Sequence, residues 1–279
     1  TRLVWSVAPN GLAGLRPHRS HQVLPIDNCV IAHPGLPQVQ QQTWDTDRVA
    51  AIVSSTNERL LVTDGTVEDE LEGTLDGVVA TDRTVRAGNG VLTEQVLGRE
   101  FAVSGSGFWQ VHPEAAKTLV SAVLEAAQVE AGDRVLDLYA GAGLFSAFLA
   151  ETCAPGELLS VEGNRTASAD AKKNLAKNSN AVTVHAPVER ALNRGLLGDS
   201  ADIVVLDPPR AGAKQAVSAI AALSPRKIVY VACDPAALAR DIASFAELGY
   251  ELESLRAFAL FPMTHHVECV ALLVRVGSE

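Results

Sequence analysis

Cys233 stands in Lys227-Ile-Val-Tyr-Val-Ala-Cys-Asp-Pro235, where an apolar strand gives way to a helix start. The positive end of a helix favours a thiolate, the nucleophilic form of cysteine. Upstream runs a glycine loop, Leu136-Asp-Leu-Tyr-Ala-Gly-Ala-Gly143, and between the two lies Asp207-Pro-Pro-Arg210. Gly141 and Gly143 let the backbone pass close to a ligand. The paired prolines remove donors and stiffen their loop, which holds Asp207 at the edge of a sheet. A thiol at the carboxyl end of a strand, in a chain with a nucleotide-binding loop, implies covalent catalysis on a bound base.

Two acids bear on which nucleotide that loop takes. Glu162 ends the next strand, about twenty residues beyond the loop, where a carboxylate accepts from both ribose hydroxyls. Asp137 lies at the mouth of the first strand, where it repels a dinucleotide pyrophosphate but suits a sulfonium and an amino acid. The expected cofactor is therefore S-adenosylmethionine rather than a dinucleotide. The competing reading is that Asp137 and Glu162 only cap helices. Glu268, in Met263-Thr-His-His-Val-Glu-Cys269, enters the last strand and is placed to act as a general base, or is an ordinary edge-strand acid. His265 and His266 are adjacent, point to opposite faces of a strand, and have no further ligand cluster, so no metal is expected. Cys153 and Cys269 read as packing residues.

These residues need elements to hold them. From about residue 106 the pattern alternates helix and strand. A helix follows His112-Pro-Glu to about Ala127. Strands are expected at Arg134–Leu138, Glu157–Val161, Val182–His185, Ile203–Leu206 and Ile228–Val231, and helices at Leu144–Leu149, Arg165–Asn178, Lys214–Leu223 and Pro235–Leu248. Such alternation implies a parallel sheet covered on both faces. Glu251–Phe258 and Val267–Val276 have no helix between them and should close the sheet as an antiparallel edge. Residues 1–105 read as a smaller α+β subdomain. Leu3–Val7 and Leu12–Leu15 flank a Pro9-Asn10-Gly11 turn, residues 37–54 are expected to be helical, and strands lie near Arg59–Thr63, Gly77–Thr81 and Val91–Leu97.

Composition narrows the class. The chain has 279 residues, 47% hydrophobic, with a net charge of -10, which argues against indiscriminate nucleic-acid binding. Residues 1–26, however, carry Arg2, Arg16, Arg19, His18 and His21 and no acid. No apolar run spans a membrane and no signal peptide is visible. Four widely spaced cysteines form neither a disulfide framework nor a metal pair, which points to a reducing cytoplasm.

In order along the chain, Phe108-Trp-Gln-Val-His112, Asp137-Leu-Tyr-Ala-Gly-Ala-Gly143, Val161-Glu-Gly163, Asp207-Pro-Pro-Arg-Ala-Gly212, Tyr230-Val-Ala-Cys-Asp-Pro235 and His266-Val-Glu268 resemble the blocks of the RNA 5-methyluridine methyltransferases of tRNA and ribosomal RNA. The resemblance implies a Rossmann-like class I methyltransferase sheet in residues 106–279 and an RNA-facing subdomain in 1–105. It implies methyl transfer from S-adenosylmethionine to carbon 5 of a uridine flipped out of its stack. By resemblance Cys233 is the nucleophile and Glu268 the base, while Gln110, Tyr139, Glu162 and Asp207 bind the cofactor along with Asp137, Gly141 and Gly143. A cytoplasmic monomer acting on RNA is expected. The family's Ser-Cys-Asn-Pro is Ala-Cys-Asp-Pro here, and a charged Asp234 would oppose thiolate formation. Leu144 replaces a frequent asparagine. The family's small RNA-binding barrel is not visible, and of the four cysteines that hold an iron–sulfur cluster in some members only Cys29 has a counterpart, so no cluster is expected. The alternatives are a methyltransferase of another base or an amine, or an inactive RNA-binding relative. Arg210 stands where amine methyltransferases often carry a stacking aromatic, which counts against the amine.

Overall fold

A computed structural model describes residues 1–17, 19–261, 263–264 and 266–277. His18 and His265 lie outside the described residues. The chain divides into two compact units, Thr1–Pro113 and Glu114–Glu279.

The first unit is rich in strands. It contains β1 (Arg2–Val7), β2 (Ala13–Leu15), β3 (Leu24–Pro25), β4 (Arg48–Val53), β5 (Arg59–Val62), a helical turn α1 (Asp69–Glu72), β6 (Gly77–Val79), β7 (Val85–Gly88), β8 (Val91–Val96) and β9 (Arg99–Ser104). The first seven strands form one sheet in the order β3-β2-β1-β4-β5-β6-β7, and β8 and β9 pair as a separate hairpin. The expected hairpin forms, with Ser6 opposite Gly14 and Val7 opposite Ala13. Gly11 supplies the positive φ of +82° that the turn requires.

The expected helix over residues 37–54 does not form. That stretch holds a short 3-10 turn at Val39–Gln41 and then β4. Val49 to Val53 are all buried, because β4 lies between β1 and β5 with both faces covered. An unbroken apolar run belongs to such a central strand, and periodicity alone does not separate it from a buried helix. Trp5, Val39, Trp44, Val53 and Leu61 share the core beneath it. Trp44 Nε1 donates to Val39 O at 2.7 Å, which satisfies the buried indole.

The second unit runs α2 (Ala115–Ala127), β10 (Val135–Leu138), α3 (Leu144–Cys153), β11 (Leu158–Glu162), α4 (Arg165–Asn174), β12 (Ala181–His185), α5 (Val188–Asn193), β13 (Ile203–Leu206), α6 (Val217–Ala222), β14 (Lys227–Ala232), α7 (Pro235–Ala246), β15 (Tyr250–Phe258) and β16 (Glu268–Arg275). The strand order is β12-β11-β10-β13-β14-β16-β15. The strands β10 to β14 are parallel, and β16 enters antiparallel beside β14 with β15 outside it. This is the Rossmann-like sheet of the class I methyltransferases. Every residue of β10 and β13 is buried, as strands covered on both faces require. The order reverses at β10, whose neighbours are β11 on one side and β13 on the other. Ligands of open parallel sheets lie beyond the carboxyl ends of the strands at such a reversal.

At the opposite end of the sheet Arg226 clamps Asp133. Its Nη1 and Nη2 donate to Oδ1 and Oδ2 at 2.9 and 2.6 Å, tying the segment before β14 to the one before β10. Burial acts to raise the Asp133 pKa, but the Arg226 hydrogen bonds and the Glu130 amide outweigh it and hold the carboxyl below its usual value. A depressed carboxyl stabilises the fold above its unfolded pKa and loses that contribution as pH falls through the folded one. Arg226→Ala is expected to cost about 1–3 kcal/mol at neutral pH. In urea denaturation the difference from wild type should shrink as acid protonates Asp133.

Candidate active site

The glycine loop between β10 and α3 is shaped by contacts made from below and beside it. Gly141 and Gly143 adopt φ of +57° and +84°. A Cβ on Gly143 would sit 3.3 Å from Ala171 Cα and Cβ of α4, so glycine is needed there for close packing as well as for conformation. Asn174 Nδ2 donates to Ala142 O at 2.9 Å, a second tie between the loop and α4. Leu144, the residue that departs from the family pattern, is buried at the start of α3.

Glu162 ends β11 and reaches the loop. Its Oε2 accepts from Gly141 N at 2.9 Å and its Oε1 from Asn164 N at 2.5 Å. Each oxygen keeps a lone pair for a further donor. The helix cap is a different residue: Asn164 Oδ1 accepts from Thr166 N and Ala167 N at the start of α4. Tyr139 has the left-handed φ of +60° in a non-glycine residue, and its hydroxyl donates to Glu189 Oε1 on α5 at 2.8 Å. The sequence reading had no part for Glu189. It is a positioning contact for Tyr139, made by a helix too short to stand out in the pattern.

Asp137 is buried within β10 rather than open at its mouth, with 1% of its surface exposed. Ser146 Oγ of α3 donates to its Oδ2 and lies 2.8 Å from Ser160 Oγ of β11. The other oxygen, Oδ1, is buried without a hydrogen-bond partner. Burial raises the Asp137 pKa to about 7, with the Ser146 hydrogen bonds pulling the other way. A buried carboxyl oxygen left unpaired is costly, and a donor or cation placed beside it removes that cost.

Asp207 and Cys233 lie at the carboxyl ends of β13 and β14, and Glu268 joins them from the amino end of the antiparallel β16. Asp207 follows β13 and donates its amide to Leu138 O at 3.2 Å. Burial, then the nearby Glu268 and Asp137 carboxyls, push its pKa up to about 8. Cys233 follows β14. Ala232 pairs with Cys269, and continuing that antiparallel register sets Cys233 across from Glu268. Glu268 is 6% exposed, and burial raises its pKa while Arg210 lowers it.

The thiol does not have the depressed pKa expected from its helix start. Burial raises it, Glu268 and Asp207 raise it further, and Arg210 is the group that lowers it. The first turn of α7 is already engaged, because Asp234 caps it by accepting from Ala237 N at 2.8 Å. Asp and Asn are comparable caps, so the change from Asn-Pro to Asp-Pro preserves the helix start. The carboxyls that act on the thiol are Glu268 and Asp207, not Asp234. Arg210 itself is exposed, with Nη2 3.3 Å from His266 Nε2.

Other predicted residues fall elsewhere. Gln110 belongs to the first unit, where it lines a small cavity with Arg2 and Trp109. Arg2 donates to Gly107 O at 2.9 Å and to Gly105 O, so it serves the first unit's own backbone. Arg16, Arg19 and His21 are exposed. Cys153 and Cys269 are buried, in keeping with a packing role, and Cys29 is partly exposed. Among the described residues no group of three or more His, Cys, Asp or Glu could hold a metal, and no helix is long and apolar enough to cross a membrane.

Comparison with known proteins places this arrangement. The family model described as tRNA (uracil-5-)-methyltransferase matches residues 91–276. An uncharacterized RNA methyltransferase of Streptomyces avermitilis is 42% identical over 98% of this chain and 66% of its own length. One of Bifidobacterium longum is 38% identical over 99% of this chain and 66% of its own. The chain thus spans a little under two thirds of these relatives. Among solved structures, the Pyrococcus abyssi tRNA (uracil-54, C5)-methyltransferase in complex with S-adenosyl-L-homocysteine superposes with a TM-score of 0.77. It is 21% identical, and the match covers 98% of this chain and 75% of that one, a likeness of fold.

Proposed function

This chain belongs to the tRNA (uracil-5-)-methyltransferase family, and from that premise we propose that it transfers a methyl group from S-adenosylmethionine to carbon 5 of a uridine in tRNA or ribosomal RNA. The reading rests above all on the opposition of Cys233 and Glu268 at the strand ends, beside a glycine loop and a cluster of buried carboxyls.

The residues present fit the cofactor. Glu162 has lone pairs left for ribose hydroxyls, the glycine loop admits a close approach, and Asp137 Oδ1 lacks a donor. Glu268 and Asp137 raise the pKa of Asp207, and Glu268 and Asp207 raise that of the thiol, a setting that favours a cation. When bound, S-adenosylmethionine supplies an electrophilic methyl on a positively charged sulfur. Tyr139, Gly141 and Gly143 shape its site.

Cys233 attacks carbon 6 of the uracil as a thiolate. The new S–C bond turns carbon 5, a poor nucleophile in the free base, into an enolate carbon able to take the methyl. Glu268 then accepts the hydrogen from carbon 5 as a proton, and the returning electron pair expels the thiolate and restores the base. A buried glutamate with a raised pKa is a stronger base than an exposed one, which suits this step. The first unit is the RNA-facing part, with exposed Arg16, Arg19 and His21 available to phosphates. The four free cysteines support a reducing cytoplasm as the setting, and the active form proposed with it is a monomer.

Arg210 lowers the pKa of both Cys233 and Glu268. The reactive forms of both are deprotonated, so kcat/KM should climb with pH. Arg210→Gln should carry that limb to higher pH and slow the reaction at neutrality several-fold. A pH–rate profile of the two proteins checks this.

The direct test is nucleoside analysis of RNA from a strain lacking its uridine methyltransferases, incubated with the protein and S-adenosylmethionine. The expected product is 5-methyluridine. Methylcytidine or a methylated exocyclic amine instead would replace the proposal with another base.

A further inference from the structure

Asp207 and Arg210, which act on Cys233 in opposite senses, share the loop that follows β13. Its far end is held by α7 and β14 through a set of contacts that the chemistry above leaves unused. Asp241 of α7 is completely buried. Its Oδ2 accepts from Ala213 N and from the Tyr230 hydroxyl, both at 2.7 Å. The same Ala213 amide lies 3.1 Å from the Tyr230 hydroxyl. Asp241 Oδ1 accepts from Arg240 Nε and Nη2 at 3.0 and 2.9 Å, and Arg240 Nη2 also donates to Ala211 O at 2.7 Å.

The loop has no room to sit otherwise. Gly212 has φ +79°, and a Cβ there would lie 2.4 Å from Asp241 Oδ2 and 2.5 Å from Arg240 Nη2. The helix that grips the loop begins two residues after Cys233, so thiol and loop are both referred to α7. The Asp241 charge also reaches Tyr139 beside the glycine loop. A buried ion pair is a poor way to add stability, since its desolvation offsets its attraction.

We infer that Arg240, Asp241 and Tyr230 form a latch that sets the Asp207–Arg210 loop against Cys233 and Glu268, and are positioning residues for the proposed methyl transfer. The inference rests on that reading for its chemistry, but the latch can be read without RNA or cofactor. The side chain of Arg240 is 43% exposed, and in its variants Asp241 Oδ2 keeps the Ala213 amide and the Tyr230 hydroxyl.

The test is the rate of Cys233 alkylation by iodoacetamide across pH, followed by peptide mass spectrometry. It compares wild type with Arg240→Gln, Arg240→Lys, Arg210→Gln and the Arg210→Gln/Arg240→Gln double variant. Arg240→Gln should slow alkylation at neutral pH by about threefold, in the direction of Arg210→Gln, because release of the loop's far end withdraws Arg210 from the thiol while Asp207 stays held through its amide on Leu138 O. Arg240→Lys should recover part of the rate, and the double variant should be little slower than Arg210→Gln alone. An unchanged alkylation profile in Arg240→Gln, with only a lower melting temperature, would reduce the latch to a structural tie. Fully additive effects in the double variant would also overturn it. Failure of the wild type to methylate uridine would sink the functional reading instead, and the alkylation result would stand apart from it.

Discussion

Cys233→Ala is expected to abolish 5-methyluridine formation, a loss of about 10⁴-fold or more as for other covalent nucleophiles. The size of the effect follows from what the thiol does. Without the bond to carbon 6, carbon 5 stays an ordinary alkene carbon of a conjugated ring. Within the same unit Cys153 and Cys269 are buried. Cofactor affinity should be nearly unchanged, because Cys233 lies after β14 whereas the glycine loop and Glu162 lie around β10 and β11. Calorimetric titration with S-adenosylmethionine separates the two. A variant that loses both binding and turnover would mean a collapsed site rather than a missing nucleophile.

Glu268→Gln should act later in the same sequence. Amide for carboxylate keeps the shape of the side chain and removes the base, at a cost of about 10² to 10⁴ in rate. The methylated base would then remain bound to Cys233, because elimination needs the carbon 5 proton to leave. The variant should therefore accumulate a protein–RNA complex that survives denaturing electrophoresis, whereas wild type shows little. Glu268 also raises the pKa of Cys233, so its neutralisation should make the thiol more reactive towards iodoacetamide even as methyl transfer falls. Opposite changes in the two rates distinguish loss of a base from general damage.

Much of the second unit was legible in the sequence, for a physical reason. Strands covered on both faces must be apolar throughout, so Ile203–Leu206 and the neighbouring β14 read as unbroken runs between helical stretches. The short helix α5 is hidden in the sequence because Val188-Glu-Arg-Ala-Leu-Asn193 has six residues, half of them polar, whereas the equally short α6 is nearly all apolar. The first unit was harder. The same kind of apolar run in β4 was read as part of a helix, and β7, whose Val85-Arg-Ala-Gly88 is largely exposed, shows no alternation.

The site divides in the same way. Cys233, Glu268 and the glycine loop announced themselves by residue type and place at strand ends. Ser146, Glu189, Arg240 and Asp241 did not, since their partners are set by packing between elements. The helix start alone predicts the wrong sign for the thiol's pKa. The strand order brings Glu268 and Asp207 to Cys233, and with burial they outweigh that helix.

The central claim is covalent activation of a uracil by Cys233, and tritium release from RNA labelled at uridine carbon 5 tests it most directly. Total RNA from a strain lacking uridine methyltransferases serves as substrate, with S-adenosylmethionine, wild type and Cys233→Ala compared. The account predicts release by wild type in step with methyl transfer, and none by the variant. Methyl transfer without tritium release, or release that persists in Cys233→Ala, would contradict it.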